Sequence, residues 1–249
     1  MTPAMRTPRL NAKRLVTGSP SDAREIEHYL CSGRRDWTTP FRALVAGGGT
    51  GDALVMLAQH LADRACPAEI HYLDLSDASR KIAEARVKAR GLERLVTFHH
   101  GSLLDVATIA PGPYDYIDCC GVLHHLPAPE AGLVALAAQL SPEGGMGLMV
   151  YGHYGRTGVY DAQAMLRTLA DGLPDPERLA IARNLIREMP PTSRLRRNPL
   201  VGDHLSGGDA GLYDLLLHAQ DRAYTVPELL ALLDGAGLAV ASFIEPARY

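Results

Sequence analysis

The residues most able to do chemistry sit in two places. The first is the run Gly47-Gly48-Gly49-Thr50-Gly51, which follows an apolar stretch and opens a helical one. Glycine tolerates positive φ and lets backbone approach a ligand closely. A helix N-terminus offers free N–H groups to polar or anionic atoms. Asp74 closes the next apolar stretch, where a carboxylate can accept hydrogen bonds from both hydroxyls of a ribose. A dinucleotide fingerprint needs glycine at its sixth position, and that position is Asp52. The spacing therefore points away from nicotinamide dinucleotides. The second place is a scatter of His124, His125, Tyr151, His153, Tyr154, Arg156 and Tyr160, residue types suited to proton transfer or to contact with an acceptor.

The elements that must position these groups alternate. Apolar runs at Phe41 to Ala46, Ile70 to Asp74, Leu95 to Phe98, Tyr114 to Cys120 and Gly145 to Tyr151 read as strands. Between them, Gly51 to Arg64, Ser76 to Arg90 and Ala128 to Leu140 have helical spacing, with Ser76 an N-cap type and Gly91 a stop. Ser141 to Gly145 reads as a turn. A helix is expected over residues 21–32, and residues 1–20 read as a polar arm. This order predicts an α/β fold: a doubly wound, mostly parallel sheet with right-handed crossovers. Residues 154–224 break the rhythm. Helices are expected at about 160–172 and 176–188, then loop through Pro190-Pro191-Thr192 and Leu205 to Gly208. Thr225 and Glu228 make a capping box for a helix to Gly235, and Leu238 to Ile244 reads as a final strand. The expected division is 1–40 arm and helix, 41–153 core, 154–224 helical insertion after the fifth strand, and 225–249 end of core.

Composition narrows the classes. The chain has 249 residues, 47% of them hydrophobic and 21% charged, enough for a soluble globular core. A net charge of −3 gives no global pull toward nucleic acid. No apolar run reaches transmembrane length, and the N-terminus lacks the apolar region of a secretory signal. A cytoplasmic, membrane-free protein is expected. Cys31, Cys66, Cys119 and Cys120 make no disulfide framework and no CxxC pair, which fits reduced thiols. His99 and His100 alternate to opposite strand faces, so with His71 they do not form a metal set, and no metal is expected.

The motifs LVAGGGTGD, HYLDLS, FHHGSLLD and YDYIDCCGVLHHLPAPEAGLVALAAQLSPEGGMGLMVY, in this order, resemble class I (Rossmann-like) S-adenosylmethionine (SAM)-dependent methyltransferases, particularly the small-molecule group that includes quinone-biosynthesis enzymes. The resemblance covers roughly residues 41–153. It implies that Gly47, Gly49 and Gly51 face the methionine part of the cofactor S-adenosyl-L-methionine. It implies that Asp74 holds the ribose, that Leu75 flanks the adenine, and that Cys120, Gly121 and the residues to Leu123 line the site near the methyl group. Ser102 stands where many relatives place an aspartate on the adenine amino group. Val45 stands where relatives usually have an acidic residue.

Methyl transfer from a sulfonium is an in-line displacement in which the protein chiefly aligns the reactants. A base is needed only where the acceptor must lose a proton. His153, His124 and Tyr151 are the candidate catalytic residues. His124-His125 also fits a structural turn, the tyrosines also fit packing of the inserted helices, and Arg156 fits either an acidic substrate group or plain surface. CGVLHH is not the motif type that amino-methylating DNA enzymes use. The insertion, placed after the fifth strand, is the expected lid. Its Arg167, Arg178, Arg183, Arg187, Arg194, Arg196 and Arg197 read either as a solvated face balanced by Asp171, Asp175, Glu177 and Glu188, or as a patch for RNA or an acidic protein. Only the first strand of the usual closing hairpin is visible, which predicts a homodimer or a piece of a longer chain. Two function classes stand: a methyltransferase, with a small-molecule acceptor expected, and a non-catalytic SAM-binding module of a larger protein. A nicotinamide reductase is disfavoured by the glycine spacing.

Overall fold

The computed structural model describes residues 20–244; the arm expected at 1–20 lies almost wholly outside them. The chain divides into two units. One covers the chain up to Leu123, with Ala128–Met149 and the stretch from Leu230; the other comprises His124–Pro127 and Val150–Leu229.

The first unit is built on a five-stranded parallel sheet. Its strands are β1 (Phe41–Ala46), β2 (Ala68–Asp74), β3 (Val96–His100), β4 (Tyr114–Cys120) and β5 (Leu140–Met149), in the spatial order β3-β2-β1-β4-β5. Chain order reverses direction at β1, between β2 and β4, which is the switch point where open α/β sheets bind ligands. The central strands are apolar without alternation because both faces are covered. Ala43 and Val45 pack with Leu54, Leu57, Ile70, Tyr72 and Val87. The alternate residues Leu44 and Ala46 are just as buried, and they point to the opposite face. Helices α1 (Asp52–Asp63), α2 (Asp77–Ala89), α3 (Val106–Ile109) and α4 (Pro129–Ala137) carry the crossovers. Ser76 caps α2 by accepting from the Ser79 amide at 3.2 Å.

Three expectations are corrected here. β5 begins at Leu140, not Gly145: Tyr114 pairs with Leu140 and Tyr116 with Gly145, so the segment read as a turn is a bulged strand start. The helix expected at 21–32 is one α-turn, Ala23–Glu25, capped by Asp22, continuing as a π-turn, Ile26–Leu30. Leu238 to Ile244 forms no strand. Its apolar, β-branched composition suits a strand, but among the described residues no neighbour offers it a ladder, and propensity without a partner does not make a sheet.

The second unit is helical. It contains α5 (Val159–Ala170), α6 (Asp175–Glu188), α7 (Asp203–Ser206) and α8 (Gly208–Leu216), with the two-residue strands β6 (Tyr151–Gly152) and β7 (Ala223–Tyr224) paired in parallel. Val159, Leu166, Ala182, Leu212 and Leu215 form its core. The glycines ahead of α8 read as loop, yet Leu212, Leu215 and Leu216 keep helical spacing and bury. Helix α9 (Val226–Gly235) starts on the capping box. The Thr225 amide and hydroxyl both donate to Glu228 Oε2, at 2.8 and 2.7 Å.

Arg156 is not a surface residue. Its side chain is buried and ion-paired to Asp221, which is buried more deeply still. Gln163 Nε2 and the Tyr160 hydroxyl also donate to Asp221, at 3.1 and 3.3 Å. Removing one partner of a buried pair leaves the other charge uncompensated. Asp221→Ala is therefore expected to lower unfolding free energy by about 3–5 kcal/mol in urea titrations. The double variant Arg156→Met/Asp221→Leu should lose clearly less. Equal losses would show that the pair is not the reason.

Candidate functional site

The candidate cofactor residues converge at the carboxyl ends of β1 to β4. Gly47 follows β1 with φ +68°, and a Cβ built there would lie 2.3 Å from Val122 Cγ2. Only glycine fits this close approach of the segment after β4. Gly51, at φ +90°, precedes α1, and its Cβ would press on Ala83 of α2. The loop is held from three sides. The Gly49 amide donates to Asp74 Oδ2 at 2.7 Å. The Tyr72 hydroxyl donates to the Gly49 carbonyl at 2.7 Å. Arg86, buried on α2, donates to the Thr50 carbonyl at 2.7 Å and to Asp52 at 2.5 Å. Burial, reinforced by the Asp74 charge, raises the Tyr72 pKa, so the phenol stays a donor.

Asp74 also accepts from the Ser76 amide at 2.7 Å. Each of its oxygens is thus oriented by one backbone N–H and keeps a lone pair. Leu75 beside it is 72% exposed, an apolar side chain left uncovered. β3 ends next to this corner: the Gly101 amide donates to the Asp74 carbonyl at 3.0 Å, and His100 Nε2 lies 2.9 Å from the Leu75 carbonyl. His99 turns the other way, to His71 at 2.9 Å. Ser102 is an N-cap whose Oγ accepts from the Leu104 amide at 3.2 Å; Leu104 is a second exposed apolar side chain there. At the end of β4, the Gly121 amide donates to the Met149 carbonyl at 3.0 Å. Cys120 Sγ lies 3.4 Å from Asp118 Oδ2, which also accepts from Ser21 Oγ at 2.5 Å. Val45 is fully buried, and its register partner on β4 is Asp118. The acidic group missing at position 45 therefore has a counterpart one strand across, where burial raises its pKa.

These features suit an adenosyl ligand. Asp74 offers paired acceptors, the loop has no room for a Cβ at its first glycine, and Leu75 and Leu104 supply apolar walls. Tyr72, Arg86 and Asp118 were not among the residues singled out by sequence. The apolar pattern hid Tyr72 in a strand core, and Arg86 is joined to the loop only by folding. An arginine on the buried face of α2 was the one available signal.

The candidate catalytic residues lie in the second unit. His124 is fully buried, with no hydrogen-bond partner at Nδ1 or Nε2 among the described residues. Its ring stacks on Tyr151 at 3.7 Å, and the Arg156 guanidinium lies 3.8 Å from the Tyr151 ring centroid. Burial, aided by His125, Arg156 and His218, pushes the His124 pKa down to about 3, and burial pushes Tyr151 up to about 12. Both groups are then neutral near pH 7, and a pKa of about 3 makes His124 a weak proton acceptor. His153 is exposed; its amide donates to the Tyr224 carbonyl at 2.8 Å and its ring meets Tyr154 edge-on at 5.2 Å. His124 and Tyr151 are brought together; His153 is not part of their stack. Of the arginines, Arg178 pairs with Asp175, Arg183 with Asp209 and Arg187 with Glu188, while Arg196 donates to the Met189 carbonyl.

A family model described as a methyltransferase domain matches residues 44–146. An uncharacterized protein of Synechococcus is 33% identical over 225 residues, covering 89% of this chain and 53% of that one. The chain thus spans about half the length of that curated relative. Among solved structures, PKMT2 from Rickettsia typhi superposes with TM-score 0.63 at 17% identity, over 88% of this chain and 42% of that one. The same protein in complex with AdoHcy gives 0.60 over the same shares, again at 17% identity. A putative O-methyltransferase from Nostoc punctiforme gives 0.54 at 15% identity, over 95% and 53%.

A histidine whose folded pKa is depressed binds fewer protons folded than unfolded. Its neutral burial then stabilises fully above its unfolded pKa near 6.5, and that stability is lost as pH falls toward about 3. His124→Phe keeps an aromatic stack and removes the titration. Between pH 6.5 and 4 the variant should lose stability less steeply than the parent, by up to about 1.4 kcal/mol per pH unit in denaturant titrations. Parallel slopes would exclude a depressed pKa.

Proposed function

We propose that the chain, whose residues 44–146 match a family model described as a methyltransferase domain, binds SAM at the β1–β4 strand ends and transfers its methyl group to a small-molecule acceptor. The observation that carries this reading is the Asp74 carboxylate, fixed by Gly49 and Ser76 amides beside an exposed Leu75. Asp74 accepts from the ribose hydroxyls through its remaining lone pairs. The loop from Gly47 to Gly51 receives the methionine part, Leu75 and Ser102 border the adenine, and Cys120 and Gly121 border the methyl end. SAM, when bound, supplies a methyl group on a sulfonium. The chain's own task is to hold the donor still and admit an acceptor in line.

With the His124 pKa depressed and the Tyr151 phenol kept protonated by burial, His153 is the remaining candidate base, needed only for an acceptor that sheds a proton. The internal pairing of Arg178, Arg183 and Arg187 supports a small acceptor over RNA. No helix among the described residues is long and apolar enough to cross a membrane. The other reading, SAM binding without catalysis, is favoured by the Val45 and Ser102 departures.

Calorimetry with SAM and S-adenosylhomocysteine should show binding that Asp74→Asn weakens about 10- to 100-fold, the value of hydrogen bonds to a charged group. NAD should not bind. Unchanged affinity in Asp74→Asn, with circular dichroism matching the parent, would remove Asp74 from the site. Methyl transfer from labelled SAM to an acceptor panel separates enzyme from binding module: binding without transfer to any acceptor favours the module.

A further inference from the structure

We propose that His125, Asp214 and His218 form a site for a divalent transition-metal ion of the zinc, cobalt and nickel class. One ligand atom from each lies within 4.8 Å of the others. All three belong to the second unit. Asp214 is on α8 and His218 lies four residues on, just past the helix end, so both reach the same side. His125 comes from the turn after β4.

The surroundings prepare these donors. His125 Nδ1 lies 2.9 Å from the Gln220 carbonyl. A carbonyl only accepts, so Nδ1 carries the proton and Nε2 keeps its lone pair outward. A ring nitrogen donating to a backbone carbonyl is the usual support behind a metal-bound histidine. The Tyr151 hydroxyl donates to Asp214 Oδ2 at 3.4 Å, orienting the carboxylate from behind. The ring centroids of His125 and His218 lie 3.9 Å apart at 32°, so the two faces overlap at a tilt. His218 Nδ1 accepts from the Gln220 amide at 3.2 Å, a long hydrogen bond. Coordination through its Nε2 transfers the ring proton to Nδ1 and gives up that contact.

Tetrahedral ligands about 2.1 Å from a zinc ion are about 3.4 Å apart. Loading therefore draws the ligand atoms, now within 4.8 Å of one another, closer by up to about 1.4 Å, and Asp214 is exposed. Two imidazoles and one carboxylate suit borderline metals, whereas magnesium and calcium prefer oxygen sets. Three protein ligands leave a fourth position for water or another donor. The proposal is independent of SAM binding.

The test is titration of the tag-free chain with Co²⁺, read by its visible absorption, and competition by Zn²⁺. One ion per chain is expected, with Mg²⁺ ineffective. His218→Ala, Asp214→Asn and His125→Gln should each weaken binding about tenfold or more, while His99→Ala, outside the site, should not. Circular dichroism establishes which variants fold; Asp214→Asn, at an exposed position, is the variant least able to disturb packing. No Co²⁺ or Zn²⁺ binding by the parent chain, or affinity unchanged in the folded ligand variants, overturns the site.

Discussion

The hydrogen bond from the Gly49 amide to the Asp74 carboxylate joins the ends of two adjacent parallel strands. A parallel sheet leaves every strand end to be shaped by the loop that follows it. Here a single carboxylate, itself oriented by the Ser76 amide, fixes where the glycine loop turns. Tyr72 then supports the loop from beneath and Arg86 from α2. The consequence is pre-organisation. The chain's own hydrogen bonds fix the Gly49 amide and both Asp74 oxygens, so a ligand bound there would have less ordering to offset.

The second unit is organised differently. Beside its apolar core it buries a polar series: Arg156 pairs with Asp221, stacks on Tyr151, and Tyr151 stacks in turn on His124. Such a series is sensitive to any missing partner, because an uncompensated charge in a low-dielectric interior is costly. It also separates the two histidines that follow β4. His124 has been taken out of water, and His125 faces Gln220 and His218 instead.

The sheet was legible because its strands are continuous apolar runs separated by helices of the right length, and β1 and β4 fall on the residues expected. The places of the glycine loop after β1 and of Asp74 at the end of β2 were legible because residue type at fixed spacing marks them. What escaped depends on distant pairing. Leu238 to Ile244 has a strand's composition, but a strand exists only with a ladder partner. Arg156 looks like surface until Asp221, far along the chain, is seen to neutralise it. Gly207 and Gly208 concealed α8 because glycine disfavours helix interiors while being acceptable at a helix start. The grouping of His125 with Asp214 and His218 has no sequence period at all.

By the proposed function, the adenosyl cofactor binds at the β1–β4 strand ends. Amide hydrogen exchange with and without S-adenosylhomocysteine tests this directly. Slowed exchange is predicted for the segment from Gly47 to Gly51 and for the residues around Asp74 and Leu75. Protection confined to other segments, or none at saturating ligand, would contradict the assignment of this corner as the cofactor site.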